Sequence, residues 1–389
     1  MAGAVTGWAW RTPLGSSVDD VVRRLLAGER AIQPNRLFNA ETFACTVAAT
    51  MAVAPAPSRH QRFLRRMGLF ALEVALEAMS HARTEVAAER LGLYFGYGGL
   101  RAHLGDLLPA LEHQRLDGED SWARGFRLLH PFWMLQHLSN NAHALAAMEL
   151  GARGEGVTFG GANAGAQALG AALRALEVGA VDVAVVVGQD TLVEPETVVE
   201  LAAHGAATRR PHHQIVAPYD RDCDGFVPGE AAAALVLQRP GDAKVRVLAH
   251  VAALDGADGS DSAPAGALLG RLATRLAEGG EPVDGAGRGT PRLDLEERTA
   301  LAQVIGANAP LCCTLSAMGQ IGAAAPLVQT IALAELLRHQ VLAPVAGLGN
   351  VADGPLRAII RGEATSARAA LGVSTGAPGL AGLVRVERP

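Results

Sequence analysis

Short apolar runs and longer helical stripes alternate along this chain. Runs of consecutive apolar, often β-branched residues predict buried strands, and apolar residues three and four positions apart predict helices. The strand-like runs lie at residues 4–7, 91–95, 157–159, 181–187, 245–251 and 309–315. The helical stripes lie at residues 17–26, 60–81, 130–150, 167–178, 268–277 and 325–337. This alternation predicts an α/β protein whose helices cover both faces of mostly parallel sheets.

One order of elements occurs in both parts of the chain. A strand, a Gly-rich corner and an apolar helix follow one another near residues 157–187, and again near residues 309–337. Because each copy pairs the same strand with the same kind of helix, the pattern predicts two related halves.

The corner at Gly161-Ala162-Asn163-Ala164-Gly165 has the form of a nucleophile elbow. A strand that turns sharply into a helix presents one side chain at the helix N-terminus, where backbone N–H groups favour developing negative charge. Covalent enzymes place Ser or Cys at such a corner. Here the candidates are Ala162 and Asn163, and neither side chain can attack a carbonyl carbon.

Charge and composition exclude several classes of function. A formal net charge of -5 and a pI near 6.2 give no reason to expect a nucleic-acid partner. Cys45, Cys223, Cys312 and Cys313 lack C-x-x-C spacing, so we expect reduced, buried thiols and no metal site. The first residues do not resemble a signal peptide, and no apolar run is long enough for a membrane span. We therefore expect a cytoplasmic protein without membrane contact.

Residues 218–230 resemble a signature of the β-ketoacyl-acyl-carrier-protein synthases, the condensing enzymes of the thiolase superfamily. They read Pro-Tyr-Asp-Arg-Asp-Cys-Asp-Gly-Phe-Val-Pro-Gly-Glu, close to the family's Pro-Phe-Asp…Arg-Asp-Gly-Phe-Val-x-Gly-Glu. The opening Val5-Thr6-Gly7 and Pro13-Leu14-Gly15 are also similar, and the resemblance covers nearly the whole chain. It implies a thiolase-like fold with two duplicated halves, residues 1–238 and 239–389, in α/β/α/β/α layers. We expect the 218–230 carboxylates and Arg221 to form a buried structural network.

The resemblance implies a cysteine nucleophile that takes an acyl chain from a carrier protein, and this chain has no cysteine there. When residues 165–170 anchor the match, the cysteine position falls on Ala162. When Gly151 and Gly154 anchor it, the position falls on Asn163. With either anchor the thiol is absent.

The two histidines that the family uses in decarboxylation and enolate stabilisation are also absent. Ala286 stands at the histidine of a motif like Asn-Ala-His-Gly-Thr-x-Thr-Pro. Gln320 stands at the histidine of a motif like Lys-Ser-x-x-Gly-His, and Leu315 replaces its lysine. In the closing glycine-rich loop, Ala377 replaces a gating phenylalanine. Since removing one member of such a unit costs several powers of ten in rate, the resemblance implies a degenerate condensing enzyme.

A degenerate member of this family is expected to act through a partner. The resemblance is to the chain-length factor, which pairs with a Cys-containing ketosynthase subunit in polyketide, polyene or fatty-acid-like biosynthesis and shapes its acyl tunnel. We expect catalysis only within that heterodimer, an acyl carrier protein as a further partner, and no cofactor. The bulky segment with Phe132, Trp133, Met134 and Gln136 is the candidate tunnel end or partner interface, with plain core packing as the alternative.

Two other functions are compatible with the same residues. One is a stand-alone homodimer that binds an acyl group or a carrier protein. The other is an acyltransferase with atypical catalytic residues. Copurification with an intact ketosynthase favours the heterodimer, and acylation of this chain favours the acyltransferase.

Overall fold

The computed structural model describes residues 2–99, 104–117, 125–242, 249–257, 265–375 and 380–389. Its strands are β1 (Gly3–Arg11), β2 (Gln33–Pro34), β3 (Val47–Ala48), β4 (Leu91–Tyr97), β5 (Gly156–Gly160), β6 (Val183–Thr191), β7 (Glu230–Gln238), β8 (Ala249–Ala257), β9 (Val283–Asp284), β10 (Pro310–Cys312), β11 (Val341–Leu342), β12 (Arg357–Ala358), β13 (Glu363–Ala364), β14 (Ala369–Thr375) and β15 (Leu380–Glu387). Its α-helices are α1 (Val18–Leu26), α2 (Arg66–Ala82), α3 (Leu104–Asp117), α4 (Trp133–His137), α5 (Asn141–Leu150), α6 (Ala164–Glu177), α7 (Pro195–Ala203), α8 (Ala265–Leu276), α9 (Pro291–Ile305), α10 (Leu315–Met318) and α11 (Ala325–His339).

The strand order of the main sheet confirms the duplication. The order is β12-β10-β9-β14-β15-β8-β1-β7-β6-β4-β5. On each side of the β8–β1 junction the strands follow the same sequence order, third, second, fourth, fifth and first, apart from the extra edge strand β12. The pairings also match, because counted from the outer edge the first two pairings of each half are parallel and the last two are antiparallel. Strand β7 ends at Gln238, and the domain division at 238/239 stays a prediction.

The layers confirm the thiolase-like fold. Helices α6 and α11 contact each other and lie between the two halves of the sheet, with α6 against β4, β6 and β8 and α11 against β7, β14 and β15. Helix α2 covers the outer face of the first half, and α8 with α9 covers the second. Both central helices are apolar on most of their surface, as burial between two sheets requires.

Several predicted elements have different bounds in the structure. The strand predicted at 309–315 ends at Cys312, because Thr314 begins a turn that leads into α10. The helix predicted at 60–81 begins at Arg66, and the helix predicted at 130–150 is broken between His137 and Asn141. Of the strand predicted at 245–251, residues 249–251 lie in β8, and residues 245–248 lie outside the described residues.

The buried network predicted in residues 218–230 is confirmed for Asp220 and Glu230, and it is wrong for Asp222, Asp224 and Arg221, which are exposed. Asp220 is buried and accepts N–H groups from Gly349 and Asn350 at 3.1 and 2.7 Å. Glu230 is fully buried and pairs with Arg66 at 2.5 Å. Arg221 is instead exposed and pairs with Asp353 on the surface, because a guanidinium at this turn can reach water.

Candidate functional site

The corner after β5 has the geometry of a nucleophile elbow. Gly161 adopts a φ of 112°, which favours glycine, and its N–H donates to the Tyr97 carbonyl oxygen at 2.9 Å. Asn163 is the N-terminal cap residue of α6 and is 2 % exposed, while Ala162 is half-buried between them. Both candidate positions therefore lie at the helix N-terminus, and neither carries a thiol, hydroxyl or imidazole.

Gly165 brings the first turn of α6 against the segment that precedes α11. A Cβ at this position would collide with the backbone carbonyl oxygen of Ala323. A Cβ on Gly188 of β6 would approach the same oxygen at 2.9 Å. The close approach therefore depends on glycine, and it sets the distance between the two central helices.

The fold brings together Ala286 and Gln320, the two positions at which the resemblance predicts replaced histidines. The Gln320 Nε2 group donates to the carbonyl oxygen of Ala286 and, at 2.9 Å, to that of Gly287. Ala286 is 1 % exposed and Gln320 is 7 % exposed. A carboxamide neither gains nor loses a proton near neutral pH, and alanine has no titratable group, so this pair offers no general acid or base.

Three acidic side chains and a tyrosine lie behind the Ala286 loop. The Tyr219 hydroxyl donates to Glu297 Oε1 at 2.8 Å, and the Ala286 N–H donates to the same oxygen at 3.1 Å. Asp294 accepts the N–H groups of Tyr219 and Gly289 at 2.9 and 3.1 Å. Asp284 accepts the Thr314 N–H at 2.6 Å. These carboxyl groups hold the loops of the site in place through backbone donors.

Burial shifts the proton affinity of these acids. Burial, and then the Asp294 charge, raises the pKa of Glu297 to about 8. Burial raises the pKa of Asp284 and of Asp294 to about 6, although backbone N–H donors act in the opposite direction. The carboxyl group that contacts the Ala286 loop is therefore mainly protonated at neutral pH.

Arg288 follows the Ala286 loop and connects it to the end of β14. Its guanidinium donates to Thr375 Oγ1 at 3.1 Å, at the end of β14, and burial lowers its pKa. A cavity beside Gly287, Leu315 and Gln320 has a volume of about 10 Å³. That space suits a water molecule and not an acyl chain, which needs a pocket of hundreds of Å³.

The cysteines do not supply a relocated nucleophile. All four are free and buried. Burial raises the pKa of Cys45, Cys312 and Cys313, and raises that of Cys223 to about 12. Because the thiolate is the reactive form, such thiols are inert at neutral pH. Within the described residues no group of three or more His, Cys, Asp or Glu side chains could hold a metal ion.

The segment with Phe132, Trp133, Met134 and Gln136 has an outer and an inner face. Met134 is 59 % exposed and Phe132 is 37 % exposed, with the Phe132 ring against Phe63 at a centroid distance of 5.2 Å. On the inner face Trp133 packs against His137 at 4.8 Å. Gln136 donates to the Arg62 carbonyl oxygen at 3.1 Å.

Other large apolar side chains of this region are also exposed. They are Leu108, Leu128, Leu135 and Leu138. Together with Phe132 and Met134 we call them the outer apolar face. Soluble proteins rarely leave so many large apolar side chains in one region open to water unless a partner covers them.

Strand β5 forms the free edge of the sheet next to the elbow. It pairs with β4 on one side, and its sequence Gly-Val-Thr-Phe-Gly has no charge and no proline. Native proteins usually block such an edge with charges, proline or a covering element. An uncharged edge strand is therefore suited to pairing with another chain.

Some of the site could not be found from sequence motifs alone. Glu297, Arg288 and Gln189 were not predicted as site residues. The spacing Asp294-x-x-Glu297 places two acids one helical turn apart at the start of α9, which is a usable signal for a paired carboxyl site. Gln189-Asp190 is a polar pair at the carboxyl end of the buried strand β6, where ligands commonly bind in α/β sheets. Ala377 lies outside the described residues.

Among the described residues no helix is long and apolar enough to cross a lipid bilayer.

Comparison with known proteins places the chain in a family. The chain is 25% identical over 373 residues to 3-oxoacyl-[acyl-carrier-protein] synthase 2 of Synechocystis, covering 89% of this chain and 88% of that protein. It superposes on the ishigamide ketosynthase/chain length factor with a TM-score of 0.84 at 21% identity, covering 100% of this chain and 99% of the other.

A second solved structure has a similar fold. It is a type II polyketide synthase acyl-carrier protein in complex with its ketosynthase bound to the hexaketide, matched with a TM-score of 0.85 at 20% identity over 100% of this chain and 99% of the other. The sequence models of the N-terminal and C-terminal β-ketoacyl synthase domains match residues 4–243 and 281–349. Because the first of these alone covers more than half of the sequence, this chain belongs to the β-ketoacyl synthase family.

Proposed function

We propose that this chain is a non-condensing, chain-length-factor type subunit that pairs with a Cys-containing ketosynthase and shapes its acyl tunnel. The observation that carries the proposal is the joint loss of the reacting groups in an intact site. Ala162 or Asn163 occupies the elbow, and the Gln320 amide is bonded to the backbone of Ala286. Carbon–carbon bond formation needs a nucleophile and proton-transfer groups, and these positions supply neither.

The exposed surface beside the elbow supports a protein partner. The uncharged edge of β5 and the outer apolar face are linked through α5, because His143 of α5 hydrogen-bonds to Thr158 of β5 at 2.9 Å and α5 contacts α4, which carries Met134 and Leu135. An edge strand that pairs across an interface and an apolar face that becomes covered are the features of an obligate subunit contact.

An acyl carrier protein is the second partner that we propose. One of the similar structures is a carrier protein in complex with its ketosynthase, and another is a ketosynthase/chain length factor. In the proposed heterodimer the carrier protein delivers the acyl chain to the cysteine of the partner. This chain then limits how deep the growing product extends.

The segment with Phe132, Trp133, Met134 and Gln136 is the proposed limit of the tunnel. The Trp133 ring packs against the His137 ring, and Gln136 and His137 line the cleft beside the elbow. We expect Trp133→Ala to lengthen the product of the reconstituted system, because a smaller side chain leaves room for further extension units. Product length is read by mass spectrometry of the released chains, and an unchanged length contradicts this role for Trp133.

The pairing itself is tested by co-expression with a Cys-containing ketosynthase, followed by native mass spectrometry. We expect a one-to-one heterodimer. Met134→Ala with Leu138→Ala should weaken it about tenfold to a hundredfold, since each side chain loses about 1 kcal/mol of apolar burial. Val53→Ala, another exposed apolar residue in the loop before α2, is the control and should leave the affinity unchanged. A homodimer of this chain with no heterodimer would refute the proposal and favour the stand-alone function.

A further inference from the structure

A polar-lined cleft opens at the carboxyl ends of β4 and β6, beside the elbow. Tyr97 and Gln189 line it from the strands, Leu64 from the segment before α2, Met67 from the first turn of α2, and Gln136 from α4. The Tyr97 carbonyl oxygen accepts the Gly161 N–H at 2.9 Å, which joins the cleft wall to the elbow. The cleft therefore lies between the emptied nucleophile position and the outer apolar face.

Two glutamine amides of this cleft have an unused hydrogen-bond acceptor. Gln189 is 3 % exposed, and its Oε1 accepts no hydrogen bond from any described residue. The Gln136 Nε2 group donates to the Arg62 carbonyl oxygen at 3.1 Å. Its buried Oε1 likewise accepts no hydrogen bond from the described part of the chain. A buried polar atom without a hydrogen-bond partner destabilises the folded state, so leucine would be more stable at these positions unless a ligand uses the amides.

The rest of the cleft wall suits a hydrocarbon chain. Leu64, Met67, Leu138 and Ala142 supply apolar surface. The charged side chains that line the cleft already have partners, since Arg65 is paired with Asp106, and Asp190 accepts the N–H groups of Thr191 and Ala323 at 2.8 and 3.1 Å. A volume of about 50 Å³ accommodates the end of a chain and not a whole substrate. The walls therefore fit a neutral, largely apolar chain end that carries an O–H donor.

We propose that this cleft receives the far end of an acyl chain bearing a hydroxyl or enol O–H, which donates to the buried Gln189 Oε1 atom. A fully saturated chain would leave that amide oxygen unpaired and so would bind more weakly. The inference rests on the proposed function for the route by which the chain arrives, because the partner ketosynthase delivers it. It goes further in naming oxygenated acyl chains as the class that this subunit selects.

The test compares two matched probes on the purified chain by isothermal titration calorimetry. The probes are 7-hydroxyoctanoyl-N-acetylcysteamine and octanoyl-N-acetylcysteamine. We expect the hydroxylated probe to bind about threefold to tenfold more tightly, the value of one neutral hydrogen bond. Gln189→Leu should bring the two affinities to parity.

Gln238→Leu is the matched control. Gln238 is a buried glutamine of β7 that also has an unused Oε1, but its Nε2 donates to Thr84 at 2.9 Å and it does not line the cleft. This variant should keep the preference for the hydroxylated probe. Equal or tighter binding of the saturated probe by the wild type overturns the proposal, as does a preference that survives Gln189→Leu. Binding of neither probe, with only ordered water on Gln189 in a crystal structure, overturns it as well.

The outcome is separable from that of the proposed function. Calorimetry uses this chain alone, so a failure to form a heterodimer leaves the probe preference measurable. Conversely, a chain that forms the heterodimer and binds both probes equally refutes only the selection of oxygenated chains.

Discussion

Glu297→Gln should change how the stability of this protein depends on pH. Glu297 is 3 % exposed, and its Oε1 accepts the Tyr219 hydroxyl and the Ala286 N–H. Burial raises its pKa from an ordinary 4.5 to about 8. Glutamine has nearly the same shape and cannot ionise, so the substitution removes one titration and keeps an acceptor for both donors.

The sign follows from proton binding in the two states. Between pH 4.5 and 8 the folded protein keeps the Glu297 proton while the unfolded chain has released it. Stability therefore falls as pH rises through this range, with a slope of about 1.4 kcal/mol per unit. Between pH 6 and 8 the wild type should lose about 2 kcal/mol from this group, because the folded form begins to ionise near the upper limit. Below pH 4 the contribution of Glu297 to the free energy of unfolding is fully present.

The assay is urea unfolding of the wild type and Glu297→Gln at pH 6, 7 and 8. Titrations of groups that do not interact with Glu297 cancel in the difference between the two proteins, so the stability of the variant relative to the wild type should rise by about 2 kcal/mol from pH 6 to pH 8. Asp284 and Asp294 have raised pKa values of about 6 and are present in both proteins. Because the Asp294 charge acts on Glu297, the change from pH 7 to pH 8, above the Asp294 pKa, isolates the Glu297 titration best. Parallel profiles would show that Glu297 is ionised in the folded state and would refute the reasoning.

Three further substitutions test the geometry of the emptied site. Gly165→Ala should lower the free energy of unfolding by more than about 2 kcal/mol, since its Cβ meets the rigid Ala323 carbonyl oxygen; urea unfolding or loss of soluble yield checks it. Ala162→Cys should leave the condensation rate at background in a radiolabelled malonyl assay, because Ala286 and Gln320 do not supply the imidazoles that condensation needs. Measurable condensation by the variant would contradict this prediction. Gln320→Leu should cost about 1–3 kcal/mol, because the carbonyl oxygen of Ala286 loses a buried donor, and an unchanged urea midpoint would contradict that bond.

The sequence predicts the fold and the identity of the residues at the site better than it predicts the contacts that those residues make. The elbow, the two central helices and the duplicated order follow from periodicity, because buried strands and apolar helices have strong local signals. The break before Asn141 has no glycine or proline to mark it, so the 130–150 helix was predicted as continuous. The early end of β10 at Cys312 depends on a turn that tertiary packing fixes.

The contacts of Gln320 and Gln189 could not be predicted from local patterns. That Gln320 donates to the Ala286 loop depends on two segments that are distant in sequence and meet across the parallel strands β9 and β10. The unused oxygen of Gln189 is visible only once its neighbours are placed, because hydrogen-bond satisfaction is a property of the packed structure. The motifs therefore predict which reactive side chains are absent from the site, and the structure shows which contacts the residues at those positions make.

The most direct test of a non-condensing role is intact-mass analysis of the co-expressed heterodimer after incubation with an acylated carrier protein. The intact mass of each subunit is measured from the same sample after denaturation. The account predicts an acyl increment on the Cys-containing partner and an unchanged mass for this chain, since all four of its thiols are buried. An acyl increment on this chain, mapped to any of its residues, would contradict the central claim.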